Sequence, residues 1–236
     1  MRLLALDTAT EQCSAALWLD GPAAMREAKR ERGHAELILP MIDELLAQAG
    51  LTLQQLDAIA FGCGPGAFTG VRLAVSLAQG LGWSAQLPLI PVSDLRAVAA
   101  SALQPCADPG RALVCMDARM REVYWGCFER RGDEIRAVGR ESVGPPSTVT
   151  LPGGWIEART RATGSGFAAY GPELTCRLPA IQMGDAHALP HAREIAWLAA
   201  TAGLAGSVQA EDARPIYLRD DVAKVPASDA ARSSSN

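Results

Sequence analysis

Alternation of apolar and polar positions divides this chain into short strands and longer helical stretches. Arg2–Leu6 is an apolar strand that stops at Asp7-Thr8-Ala9-Thr10. Cys13–Leu19 is a second strand, Asp20-Gly21-Pro22 a turn, and Met25–Arg30 a third strand, so the chain opens β-turn-β-turn-β. His34 to Gly50 then carries apolar side chains at 38, 41, 42, 45, 46 and 49, the i, i+3, i+4 spacing of an amphipathic helix ended by Gly50. Pro40 must sit in its first turn or kink it. A second helix runs from Gly70 to about Ala85. Gly70, Ala74, Ala78 and Gly82 form a small-residue row, Leu73, Leu77 and Leu81 a neighbouring row, and Arg72, Ser76 and Gln79 a polar strip. The small row lets the helix sit close to its own sheet, which leaves the leucine row to a partner or to the chain's second half.

The pattern then repeats. Leu87–Val92 is a strand, and Ser93 caps a helix that begins Asp94-Leu95. Ala112–Met116 meets Asp117, and Glu122–Phe128 returns as an alternating strand, echoing the Leu3–Leu17 hairpin. Two such units imply a duplicated βββαβαβα topology with its boundary near residues 95–105. The expected division is 1–100, 101–225 with its last segments free to return to the first half, and a frayed tail 226–236. Further on, Gly153-Gly154 reads as a loop, Ala168–Gly171 as a strand end, Pro190–Leu204 as a helix, and Pro215-Ile-Tyr-Leu-Arg219 as a late extended piece.

Composition narrows the class of protein. A chain of 236 residues with 49% hydrophobic and 20% charged residues can bury a sizeable core. No apolar run reaches the roughly 18 residues of a membrane span, and Met1–Asp7 is too short for a signal peptide, so the expectation is a soluble cytoplasmic protein without a membrane partner. A net charge of −4 and a pI near 5.4 offer no basic face to a phosphate backbone. If the protein acts on RNA, another subunit grips it. Six widely spaced cysteines without a C-x-x-C pair read as reduced, buried small hydrophobes.

The densest chemistry lies in Phe61–Arg72, where four glycines and a proline fall within ten residues between a strand and a helix. Gly64, Gly66 and Gly70 could free backbone N–H groups at a helix start for a phosphate, or could make a tight strand-to-helix turn. Asp7 and Thr8 could meet a phosphate or its metal, or could satisfy turn N–H groups; Asp117 holds the matching place in the repeat. Phe68, at the loop-to-helix junction, reads as core packing. His187 and His191 are four apart, but Pro190 between them marks a helix start, so they are not read as a metal pair.

Five pieces in order, Asp7-Thr8-Ala9-Thr10, His34-Ala-Glu-Leu-Ile-Leu-Pro40, Gly64–Arg72, Asp117-Ala-Arg with Glu122-Val-Tyr124, and Pro215–Arg219, resemble the TsaB (YeaZ) family across essentially the whole chain. The resemblance implies an α/β fold of the actin/Hsp70/sugar-kinase (ASKHA) type with two subdomains. It also implies a role in making N6-threonylcarbamoyladenosine at position 37 of tRNAs reading codons that start with A. In that family the protein is the non-catalytic partner of TsaD and works with the ATPase TsaE. The catalytic relative carries a His-x-x-x-His metal pair at the start of its first helix, whereas here His34 is followed by Ile38, and one imidazole cannot make that site.

The resulting expectations are no catalytic residues, no metal and no cofactor of the chain's own, with ATP or ADP admissible only at an interface with the partner. The first helix (Glu36, Leu39, Ile42, Asp43, Leu46) and the second (Leu73, Leu77, Leu81) would pair with TsaD, or with a second copy when TsaD is absent. tRNA would be reached only through the complex. Two other readings stay open: a kinase-like or ATP-hydrolysing enzyme of the same fold, with Asp7 and Asp117 orienting metal and water, and a glycoprotease-like peptidase, for which no His-Glu-x-x-His or Gly-x-Ser-x-Gly stands in the sequence.

Overall fold

A computed structural model describes residues 1–104, 110–155, 160–178 and 181–219. The tail and Cys106 lie outside the described residues. The first half is β1 (Arg2–Asp7), β2 (Gln12–Leu19), β3 (Ala24–Lys29), α1 (His34–Ala49), β4 (Ala58–Gly62), α2 (Phe68–Ala85), β5 (Leu89–Val92) and α3 (Asp94–Leu103). The second is β6 (Gly110–Asp117), β7 (Val123–Arg131), β8 (Glu134–Ala137), β9 (Ser142–Gly144), β10 (Thr160–Thr163), α4 (Ser165–Arg177), β11 (Ile181–Met183) and α5 (Ala192–Ala202).

The two sheets have one design. The first runs β3-β2-β1-β4-β5 and the second β8-β7-β6-β10-β11, with β9 beside β7. In each, the central strand is antiparallel to its hairpin partner and parallel to the strand on its other side. Each half thus repeats the actin/Hsp70/sugar-kinase order. The duplication is incomplete, however. Among the described residues, β9 and a single 3₁₀ turn (Pro146–Thr148) stand in the stretch where the repeat calls for a counterpart of α1.

Burial explains the layers. Between the sheets, α3 and α5 share a core with Leu3 and Ala5 of β1, Val114 and Met116 of β6, and Phe128 of β7. Three of the four alanines of α3 (97, 99 and 100) are wholly buried there, so small side chains let the helix approach both sheets. On the other face of the first sheet, Ile38, Ile42 and Leu45 of α1 and Val71, Ala74 and Ala78 of α2 bury against β1, β2 and β4. The second sheet is covered by Phe167 and Leu174 of α4. Although α5 belongs to the second half, it packs chiefly on β1 and β2. Among the described residues, no helix is long and apolar enough to cross a membrane.

Several local expectations need correction. Pro40, expected in the first turn of α1 or at a kink, lies in its second turn, and the helix runs on to Gly50, which takes the left-handed conformation. Its ring faces solvent, so water can satisfy the carbonyl that loses its helical donor. Ala168–Gly171 is the middle of α4, not a strand end, broken by non-helical backbone at Tyr170 (φ −134°) two residues before Pro172. Strand β5 starts after Pro88, two residues later than the apolar run suggests.

Candidate functional site

Where the first turns of α2 and α4 approach the ends of β1 and β6, an open cleft of about 1140 Å³ separates the two sheets. Thr8, Gly66, Gly70 and Asp117 line it, together with His34, Tyr124, His187 and the extended segment Ile216–Arg219. Asp7 and Gly64 lie behind the wall.

The glycine loop is a packing device. Gly64 has φ +106°, and a Cβ there would stand 2.5 Å from the Ile216 carbonyl oxygen. A Cβ on Gly66 would stand 2.5 Å from the Ala9 carbonyl oxygen, and one on Gly70 would collide with the Thr8 carbonyl. The loop is tied to the rest of the chain through one of its donors and two of its carbonyls: the Ala67 N–H donates to Ala9 O at 2.7 Å, while Cys63 O accepts the Ile216 N–H and Gly70 O the Thr8 hydroxyl, each at 2.7 Å. At the matching junction of the second half, Gly164 and Gly166 press in the same way on the backbone of Cys115 in β6.

Asp7 is wholly buried, and its Oδ1 accepts the Ala9 N–H at 3.0 Å, the turn-satisfying role. Its counterpart Asp117 accepts the Arg119 N–H at 2.9 Å but stays partly exposed in the cleft. Sequence reasoning missed the partner of Asp7. Asp94, the first helical residue of α3, is also wholly buried and accepts the Gly64 N–H at 2.5 Å. A Cβ on Gly62 would collide with both carboxyls, which places them face to face over that residue. Asp7 Oδ2 and Asp94 Oδ1 are buried without a hydrogen-bond partner. Burial raises the Asp7 carboxyl to about 6. Burial and the charge of Asp7 push the Asp94 carboxyl well up too. Glu141, also raised by burial, accepts the Ser93 hydroxyl at 2.5 Å nearby.

Of the two repeated aspartates only Asp117 faces the cleft, and it is paired with Arg119 at 3.4 Å. The loop glycines face backbone. Among the described residues no cluster of three or more His, Cys, Asp or Glu side chains has metal-binding geometry. His191 caps the start of α5, and its Nδ1 lies 2.8 Å from Glu27, while His187 lines the cleft.

The expected partner-facing residues divide. Glu36, Leu39 and Asp43 are exposed, Leu39 at 42%. Leu46, Leu73, Leu77 and Leu81 are half-buried, and Leu46, Leu77 and Leu81 pack partly on the first-sheet core. Ile42 is 2% exposed and belongs to that core, because it lies on the same helix face as Ile38 and Leu45. Phe68, expected inside, is 47% exposed and stacks on Tyr217. Cys13, Cys63, Cys115 and Cys127 are buried as expected, whereas Cys176 is exposed.

Fold and cleft together define a two-lobed α/β protein of the actin/sugar-kinase type whose glycine loop is closed onto its own backbone. A sequence profile of the family described as "TsaD: tRNA N6-adenosine threonylcarbamoyltransferase" matches residues 28–227. The chain is 37% identical over 230 residues to the "tRNA threonylcarbamoyladenosine biosynthesis protein TsaB" of Escherichia coli (strain K12), covering 94% of this chain and 96% of that protein. It is 39% identical over 231 residues to the protein of the same name from Haemophilus influenzae, covering 94% and 95%. The solved structure "YeaZ from Pseudomonas aeruginosa" superposes with a TM-score of 0.82 at 42% identity over 92% of this chain and 99% of that one. A second, described as an uncharacterized protein with similarity to peptidase YEAZ from the same organism, gives 0.84 at 43% identity over the same shares. The chain belongs to the TsaD family of proteins and, within it, to the TsaB (YeaZ) family.

Proposed function

We propose that this chain is a non-catalytic subunit required for transfer of a threonylcarbamoyl group to adenosine 37 of tRNAs that read codons starting with A. It acts by binding TsaD and works with TsaE. One observation carries the reading. The position four residues after His34, where the catalytic relative has its second metal histidine, holds Ile38, whose side chain is wholly buried beneath α1. A residue committed to the core at that position cannot share an ion with His34 across one helical turn. ATP or ADP would then be held at the interface with TsaD, where the partner supplies the groups this chain lacks.

The outer side of α1 (Glu36, Leu39, Asp43, Leu46) and the leucine row of α2 (Leu73, Leu77, Leu81) form the surface for TsaD, or for a second copy of this chain when TsaD is absent. A specific pairing of that kind buries roughly 1,600 Å² in total. Leu77 also packs on the chain's own core, so Leu39→Glu is the cleaner probe. That variant should melt within a few degrees of the parent and lose association with TsaD on size exclusion; unchanged association would place the contact elsewhere.

The deciding experiment is modification of an ANN-decoding tRNA by TsaD, TsaE and a threonylcarbamoyl-adenylate supply, with and without this protein, beside ATP turnover by this protein alone. Modification that depends on it, without turnover of its own, supports the subunit reading. Turnover without any effect on modification would replace it with the kinase-like enzyme.

A further inference from the structure

The flank of α2 opposite the leucine row carries a second surface. Arg72, Ser76 and Gln79 fall on one helical row, and with Arg214 and Tyr217 of the C-terminal segment they line a groove of about 430 Å³ that no aspartate or glutamate enters. At its mouth the rings of Phe68 and Tyr217 stack at 5.6 Å and 29°, 47% and 42% exposed. The Arg72 guanidinium lies 3.8 Å over the Phe68 ring and is held flat by its Nε–H, which donates to the Tyr217 hydroxyl at 2.6 Å. Neither Arg72 nor Arg214 lies within ion-pair distance of a carboxylate among the described residues, although both are exposed on a chain of net charge −4. Eleven residues, or three turns, beyond Arg72 on the same row stands Trp83, 70% exposed.

An exposed guanidinium packed on half-exposed aromatic rings, with a second arginine at the rim that has no carboxylate partner and whose Nη1 donates to the Glu211 and Ala213 carbonyls, offers two things together. It gives a π-face for an unstacked base and charged donors for the adjoining phosphates. An acidic peptide would use the arginines and leave the rings without a partner. We propose that Phe68, Arg72, Tyr217 and Arg214 form a contact for an unpaired nucleotide stretch of the substrate RNA when this chain sits in its complex. The inference rests on the tRNA-modifying role proposed above. It assigns to this subunit an auxiliary contact, while the main grip on RNA stays with the partners, because the chain as a whole carries a net charge of −4.

The test uses the reconstituted complex with a full-length tRNA transcript and three versions of this protein: parent, Phe68→Ala/Tyr217→Ala, and Arg72→Gln/Arg214→Gln. The KM for tRNA should rise about tenfold in each double variant, with kcat changed less than twofold and association with TsaD intact. The arginine variant should also flatten the slope of log affinity against log salt by about 1, since two single-strand phosphate contacts are lost. Phe68→Tyr, which keeps the ring, should restore the parent KM and separate loss of stacking from a folding defect. An unchanged KM and salt slope in an assembled complex would overturn the proposal, as would loss of TsaD or TsaE association at unchanged tRNA affinity, which would make this a protein-docking surface. Omitting the protein in the same assay tests the underlying role separately. If modification needs the parent protein but ignores both double variants, only the RNA contact fails.

Discussion

Asp7 and Asp94 put two ionisable groups into a space without solvent, and the sign of their effect on stability follows from the raised acidity constants. The folded chain keeps protons that the unfolded chain would release above 3.8, so stability falls as pH rises through about 6 and continues to fall while Asp94 loses its own proton. The Asp7 step alone is worth on the order of 2–3 kcal/mol. The charges facing the pair are those of His191 on Asp7 and of Glu141 on Asp94, while Cys63 and Cys13, both buried, have thiols pushed upward and stay neutral. Asp94→Asn can still donate to Asp7 and accept the Gly64 N–H, but it has no proton to lose. Urea unfolding at pH 5 and pH 8 should show a smaller loss in this variant than in the parent; equal losses would mean that the pair does not hold a proton. Two glycines make a second comparison. Gly70→Ala drives a Cβ into the Thr8 carbonyl and should cost more than about 3 kcal/mol, whereas Gly80→Ala, with open space around it, should gain about 0.5–1 kcal/mol from helix propensity. Thermal melting reads both, at about 2–4 °C per kcal/mol for a chain of this size.

Element by element, the sequence was most legible where one periodicity ran long. The spacing of α1 and its glycine stop, the small-residue row of α2 and the opening hairpins are local patterns, and the structure matches them to within about two residues. α4 was not legible: Ala168–Gly171 reads as a strand end, and Gly166, Gly171 and Pro172 within its thirteen residues break a helical pattern. It becomes a helix because the repeat places it against β6, where Gly164 and Gly166 fit the Cys115 backbone and Phe167 and Leu174 fill the core. α2 shows what an element's two flanks can divide between them. Its buried row fixes it to the sheet, its leucines stand half-buried on one flank, and Arg72 and Trp83 are exposed on another. The site was legible only in part: the glycine loop and Asp7 announce themselves, but Asp94 follows an ordinary Ser N-cap, and no local pattern joins Tyr217 to Phe68 across about 150 positions.

For the whole molecule, the return of α5 to β1 and β2 ties the two halves together. A fragment of residues 1–104 keeps all five strands of the first sheet but loses the helix that covers one of its faces, along with the β6 and β7 side chains that complete the same core. That fragment should lack a cooperative thermal transition and should bind a dye for exposed apolar surface; a sharp melt would show that the first half folds unaided. By itself the sequence determined α1, α2, the hairpins that open each half and the family, because each is written in local periodicity or in short motifs whose residues are neighbours. Tertiary structure alone decided that the glycine loop closes on the chain's own backbone, that Asp7 and Asp94 meet over Gly62 in the interior, and that Phe68 lies outside beneath Arg72. Each of these depends on segments far apart in sequence meeting at one place, and no local spacing encodes that meeting.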